Sequence, residues 1–163
     1  MLLALSLGAC TPPAQQKPAP QPNYVSALEL RPTGQGGTAP TLLRPGTAAD
    51  FAARVPATIL FAFDTAALTD ETRAMLDSQA EWLRLYPEPN ITIEGHADER
   101  GSAFYNLDLG LQRAQAVAAY LAARGVHPSR IRVISYGAER PADSGNDEAA
   151  WARNRRAVTL VAD

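Results

Sequence analysis

Between residues 95 and 113 the chain reads Gly95-His96-Ala97-Asp98-Glu99-Arg100-Gly101, then Tyr105-Asn106, then Leu109-Gly110-Leu111-Gln112-Arg113. Charge, glycine and helix-start signals converge in this stretch. A carboxylate accepts from an ammonium, and a guanidinium fork grips a carboxylate through two parallel bonds. Asp98 and Arg113 therefore read as the two ends of a holder for one small zwitterion. Other chemistry fits less well. His96 with Asp98 supplies two metal ligands, too few for a site. Adjacent Asp98 and Glu99 could suggest the acid and base of a hydrolase, but neither a nucleophile nor a paired geometry accompanies them. Taken alone, Asp98, Glu99 and Arg100 also read as a solvated loop.

The flanking segments must position this stretch. Residues 58–63, Thr-Ile-Leu-Phe-Ala-Phe, form a β-branched and aromatic run after Pro56 and read as a buried strand ending at Asp64. Thr69 is an expected helix N-cap, with Asp70 and Glu71 in the first turn where the helix dipole favours negative charge. Met75, Leu76, Ala80, Leu83 and Tyr86 keep the helical spacing, Trp82 lies just off that stripe, and Pro87 and Pro89 stop the helix. Residues 90–94 alternate as a half-buried strand that Gly95 ends. A second helix is expected from Asn106, with Leu109, Ala116, Val117, Tyr120 and Leu121 inward, ending at Gly125 and Pro128. Residues 130–136 alternate as a third strand, 147–153 suit a short helix, and 157–161 give a last strand.

This order predicts an α+β fold: a two-layer α/β sandwich, β-α-β-α-β-β, with a mixed four-stranded sheet and two helices on one face. Asp98 then lies in a loop at the carboxyl edge of the sheet, where ligands commonly bind. Arg113, two turns into the following helix, leans back toward that loop. Trp151 reads as a cap on the core. Arg153, Arg155 and Arg156 read as packing, or as protection of an edge strand against aggregation.

The remainder of the chain bounds the function. A formal net charge of -2 over 163 residues gives no electrostatic reason to expect nucleic acid. A single cysteine, Cys10, excludes an intrachain disulfide and a thiolate zinc site, and no metal or other cofactor is expected. Residues 1–9 are almost wholly apolar and end Leu7-Gly8-Ala9-Cys10, which resembles a bacterial lipobox. Residues 1–10 are expected to be a lipoprotein signal segment whose start lies upstream, with Cys10 acylated into membrane lipid. Thr11 after the cysteine is similar to outer-membrane sorting. Residues 11–50 hold eight prolines and four glycines without apolar periodicity, apart from a small cluster over 24–30. They are expected to be a disordered linker, about 35 Å as a coil and on the order of 120 Å when stretched. The folded domain is then 51–163.

The motifs Gly-His-Ala-Asp-Glu-Arg-Gly, Tyr-Asn, Leu-Gly-x-x-Arg-Ala, Ser135-Tyr136-Gly137 and Asn154-Arg155-Arg156-Ala157-Val158, in that order, resemble the OmpA-like peptidoglycan-binding domain family. Ala97 and Gly110, where many members have Thr and Ser, are similar to its lipid-anchored branch. The resemblance implies non-catalytic binding of the peptidoglycan stem peptide through meso-diaminopimelate. Asp98 would take the ammonium and Arg113 a carboxylate, with Phe63, Asp64, Glu99 and Arg100 completing the pocket. It further implies a tether between outer membrane and wall within the Tol system of envelope integrity and cell division. A periplasmic adaptor whose main partners are Tol proteins, and less favoured a peptidoglycan hydrolase, are the alternatives. Replacing Asp98 or Arg113 by Ala is expected to abolish wall binding with the domain still folded.

Overall fold

The computed structural model describes residues 43–162. The expected signal segment, Cys10, the cluster over 24–30 and most of the expected linker lie outside the described residues. The first described element, over 48–54, straddles the expected boundary between linker and domain. The Thr47 hydroxyl accepts from the Asp50 backbone N–H at 3.3 Å and opens helix α1, Ala48–Arg54, which buries Asp50 and Phe51. Asp50 accepts from the Trp82 indole at 3.0 Å and the Gly46 backbone at 3.1 Å, so a short helix in a breaker-rich stretch gains a buried anchor.

Strand β1, Thr58–Leu60, leads to helix α2, Asp70–Leu85, capped by Thr69 as expected. Strand β2, Ile91–His96, precedes helix α3, Ala103–Ala123. A 3-10 turn at Pro128–Arg130 then enters strand β3, Ile131–Gly137, followed by helix α4, Glu148–Asn154, and strand β4, Arg156–Val161. The sheet order is β1-β4-β2-β3. β2 pairs parallel with β3 through the α3 crossover, and β4 pairs antiparallel with both β1 and β2. The result is the mixed four-stranded sheet of the expected α+β sandwich, with α4 at the expected short helix and α1 added.

Ile59, Ile91, Ile93 and Ala157 of the sheet pack against Leu76, Ala80 and Leu83 of α2 and against Ala114, Val117 and Leu121 of α3. Each large aliphatic contributes about 1.5–3 kcal/mol by burial. Phe51 closes one end of this core edge-on to Trp82, ring centroids 5.0 Å apart. The inward stripe of α3 runs through Ala114 rather than the expected Ala116, while Tyr120 packs partly buried against the core and its hydroxyl donates to Asp77 at 2.9 Å.

Three differences from expectation shape the site. β1 stops at Leu60, not at residue 63, because the carbonyls beyond it go to side chains: Phe61 O accepts from Arg155 Nε at 3.1 Å and Ala62 O from Arg113 Nη2 at 3.3 Å. α3 starts three residues before Asn106, since the Ser102 hydroxyl caps it by accepting from the Tyr105 N–H at 3.2 Å. β4 is an interior strand, so the arginines around 155 do not protect an edge.

Close contact between two glycines seats α3. A Cβ on Gly95 of β2 would lie 1.8 Å from the Gly110 carbonyl oxygen, and one on Gly110 would lie 2.4 Å from Ser135 Oγ. Bare backbone on both sides brings the helix flush to the strand and places Arg113, three residues on, against the strand end.

Candidate functional site

A cavity of about 250 Å³ opens beyond the carboxyl end of β2. Its wall includes Phe63 and Asp64 from the segment after β1, Ala97, Asp98, Arg100 and Gly101 from the loop after β2, and Tyr105, Asn106, Leu109 and Arg113 from α3. Of the residues the sequence singles out, Asp98, Arg113, Phe63, Asp64 and Arg100 meet here. Glu99 does not. It is exposed, lies outside the cavity's lining and accepts from the Trp151 indole at 3.1 Å.

Arg113 is 0% exposed. Its Nε donates to Thr65 O at 2.9 Å, Nη1 to His96 O at 2.8 Å and Nη2 to Ala62 O at 3.3 Å. A guanidinium carries five N–H donors, so two are left without a backbone partner in a residue that lines the cavity. Its carbon sits 5.4 Å from the centre of the Phe61 ring. Burial lowers its pKa to about 10, the nearby Asp98 charge opposing the fall, so it remains a cation at neutral pH. The free fork imagined from sequence is therefore a buried brace that also faces the cavity.

Asp98 is 5% exposed. Its Oδ1 accepts from the Arg100 backbone N–H at 3.1 Å and from Arg100 Nε at 3.2 Å, and its Oδ2 accepts from Arg100 Nη2 at 2.7 Å and from Arg155 Nη1 at 3.4 Å. Burial alone pushes this carboxyl up. The Arg100 bonds and charge, with the Arg155 bond, overcome it and hold the pKa below the usual carboxylate range. Asp98 is thus an anion with its partners already in place.

Asp64, which accepts from the Tyr105 hydroxyl, adopts φ of 57°, the left-handed region that Asp tolerates better than most residues. That conformation turns the chain at the cavity mouth, leaving Phe63 exposed there.

Two residues of the site were not recognised from sequence. Arg155 is buried, with Nε on Phe61 O and Nη2 on Glu148 Oε1 at 2.8 Å besides its bond to Asp98. Arg155 caps the end of α4 just before β4 begins, so neither the helical nor the strand period assigned it a face; its place in the Asn154-Arg155-Arg156 motif was the available signal. Trp151 is not the expected core cap. Its ring lies 4.2 Å from the Arg100 guanidinium carbon, with the Phe63 ring at 4.3 Å. No signal in the sequence linked Trp151 to residues fifty positions earlier.

His96 is 1% exposed, neither ring nitrogen has a hydrogen-bond partner among the described residues, Nε2 lies 3.9 Å from Glu94 Oε2, and the ring stacks on Tyr136 at 5.6 Å. Burial lowers its pKa to about 4, helped by the charges of Arg156 and Arg140. Its backbone, not its ring, serves the site, through the bond to Arg113. No group of three His, Cys, Asp or Glu suited to a metal occurs among the described residues.

A fold of this topology with a buried carboxylate and guanidinium at the strand end defines a binding module. The model described as OmpA family matches residues 60–155, more than half of the chain. The peptidoglycan-associated lipoprotein of Rhizobium meliloti (strain 1021) is 43% identical over 161 residues, 99% of this chain and 84% of that relative. That of Brucella melitensis is 47% identical over 117 residues, 72% of this chain and 70% of its own length. The crystal structure of the peptidoglycan-associated lipoprotein from Burkholderia pseudomallei superposes with a TM-score of 0.64 at 39% identity, covering 66% of this chain and 91% of that one. The C-terminal domain of Helicobacter pylori MotB, at 19% identity and a TM-score of 0.62, shares the fold. The chain belongs to the OmpA family and, within it, to the peptidoglycan-associated lipoproteins.

Proposed function

We propose that this chain is a non-catalytic outer-membrane lipoprotein that binds the peptidoglycan stem peptide in the cavity between Asp98 and Arg113 and so tethers membrane to wall. The observation that carries the reading is the pairing of a buried carboxylate and a buried guanidinium on the wall of one small cavity. A zwitterionic amino-acid head matches that arrangement, and meso-diaminopimelate supplies one. Its ammonium goes to Asp98, and a carboxylate goes to the two Arg113 donors that the backbone leaves unused. Charge-assisted bonds of this kind contribute about 1.5–3 kcal/mol each, so attachment is reversible and cumulative over many copies. Acylation at Cys10 contributes about 0.8 kcal/mol per buried CH₂ and gives stable anchoring once two or three chains are present.

Full-length protein carrying Cys10→Ser, which keeps it unacylated, should co-sediment with sacculi that contain diaminopimelate and remain in the supernatant with sacculi that lack it. Equal sedimentation with both would refute the assignment of the head group. Release of soluble muropeptides from either would refute a purely binding role. Mass spectrometry of membrane-extracted protein tests the anchor, since an unmodified Cys10 thiol contradicts it.

A protein partner from the Tol system forms the second part of the reading. Phe104, 84% exposed, lies with the exposed Leu107 and Leu111 on the α3 turns that adjoin the cavity. An exposed apolar group of this kind commonly marks a protein contact. A pulldown of Tol proteins, repeated with soluble stem peptide as competitor, tests whether that contact shares the cavity.

A further inference from the structure

The Asp98 carboxylate is saturated before any ligand arrives. A carboxylate offers roughly four acceptor positions, and all four are taken, three of them by Arg100. The two arginines involved differ in freedom. Arg155 is buried and pinned by Phe61 O and Glu148. The Arg100 side chain is 32% exposed, its guanidinium lying against the Phe63 and Trp151 rings and 3.5 Å from Glu148. Cation–aromatic contacts hold such a group without fixing it by directional bonds. If a ligand cation is to reach Asp98, Arg100 is the group that must withdraw.

We propose that Arg100 determines the selectivity of this site: it occupies the ammonium position on Asp98 and yields only to a ligand that brings both an ammonium for Asp98 and a carboxylate for the released guanidinium. This rests on the reading of the cavity as the stem-peptide site. A bare ammonium, as on a lysine side chain, exchanges one cation for another and deprives Arg100 of its bidentate acceptor. Glu148, 63% exposed at its side chain, is a solvent-screened substitute. An amino-acid head carries its carboxylate on the same carbon as its ammonium, and that carboxylate has about four acceptor positions, so it can take the displaced Arg100 fork on the positions that Arg113 leaves free. Selectivity for diaminopimelate over lysine then arises from the cost of evicting an internal cation, and not only from contacts to the ligand.

The test is equilibrium binding of soluble stem peptides with meso-diaminopimelate or L-lysine at the third position, to the full chain carrying Cys10→Ser. The wild-type site should prefer the diaminopimelate peptide by about tenfold or more, the scale of one charge-assisted bond. Arg100→Gln should bind the lysine peptide more tightly than wild type and shrink the preference below about threefold. Trp151→Ala, which removes one side of the stack, should shrink it part of the way. An unchanged preference in Arg100→Gln overturns the proposal, as does loss of diaminopimelate binding without any gain for lysine, which would make Arg100 an ordinary ligand contact. If the wild-type chain binds neither peptide, the stem-peptide reading itself fails and this proposal with it.

Discussion

Asp50 and Asp98 are both buried carboxylates with arginine partners, yet they sit in regions that do different work. Asp50 accepts from Trp82, Gly46 and Arg54, and so fastens α1 to the end of the core. Asp98 accepts from Arg100 and Arg155 beside a cavity whose opposite wall holds a second buried charge, Arg113. Both have lowered pKa values, because hydrogen bonds and arginine charge outweigh burial. A satisfied buried carboxylate is therefore not in itself a site. What separates the two is open space and a complementary charge across it.

The largest expected effect tests how the Asp98 region is held together. In Gly95→Ala the new methyl meets the Gly110 carbonyl oxygen, so α3 must lift off the strand. Denaturant unfolding should show a loss of about 4 kcal/mol, in the upper range for single substitutions, and peptide binding should fall with it. Next comes Arg113→Ala, which strips partners from three backbone carbonyls and should cost about 3 kcal/mol. Lost binding in Arg113→Ala would therefore mix lost contacts with lost stability, which makes Asp98→Asn the cleaner probe of binding.

Titration separates the pair from its neighbour. Both aspartates contribute stability that is present above their unfolded value of 3.8 and is lost only as pH falls through their lowered folded values. His96 acts in a different window. Its folded pKa of about 4 lies below the ordinary 6.5, so the unfolded chain takes up a proton first, and stability falls as pH drops from 6.5 to 4. The loss should be on the order of 3 kcal/mol, and His96→Gln should flatten that slope while leaving the acid limb below it in place. The smallest effect expected is on binding in Asp50→Asn. Its thermal midpoint should fall, and its affinity for stem peptide should equal that of wild type.

How much was legible in advance follows the same division between regular packing and long-range polar contact. Thr69, the spacing of Leu76, Ala80 and Leu83, and the alternation through Ile91 and Ile93 are local signals, and they marked α2 and β2. Asp98 and Arg113 were picked out by their charge and spacing, and Phe63, Asp64 and Arg100 by a family resemblance, and the structure brings the five to one cavity. What escaped depended on tertiary partners. α1 has only Asp50 and Phe51 buried, and Trp82, which holds both, lies more than thirty residues away. β1 ends early because Arg113 and Arg155 claim its next carbonyls from 51 and 94 positions away, which no local propensity encodes. The stack of Arg100 between Phe63 and Trp151 joins three segments of chain in the same manner.

The comparison of the two aspartates also gives the most direct test of the central claim. The affinity of a soluble diaminopimelate stem peptide should be measured for wild type, Asp98→Asn and Asp50→Asn, each with Cys10→Ser. Asp98→Asn should weaken binding by about tenfold or more, the loss of at least one charge-assisted bond, while Asp50→Asn binds as wild type does. Undiminished affinity in Asp98→Asn would contradict the assignment of this cavity as the place where the chain holds the wall.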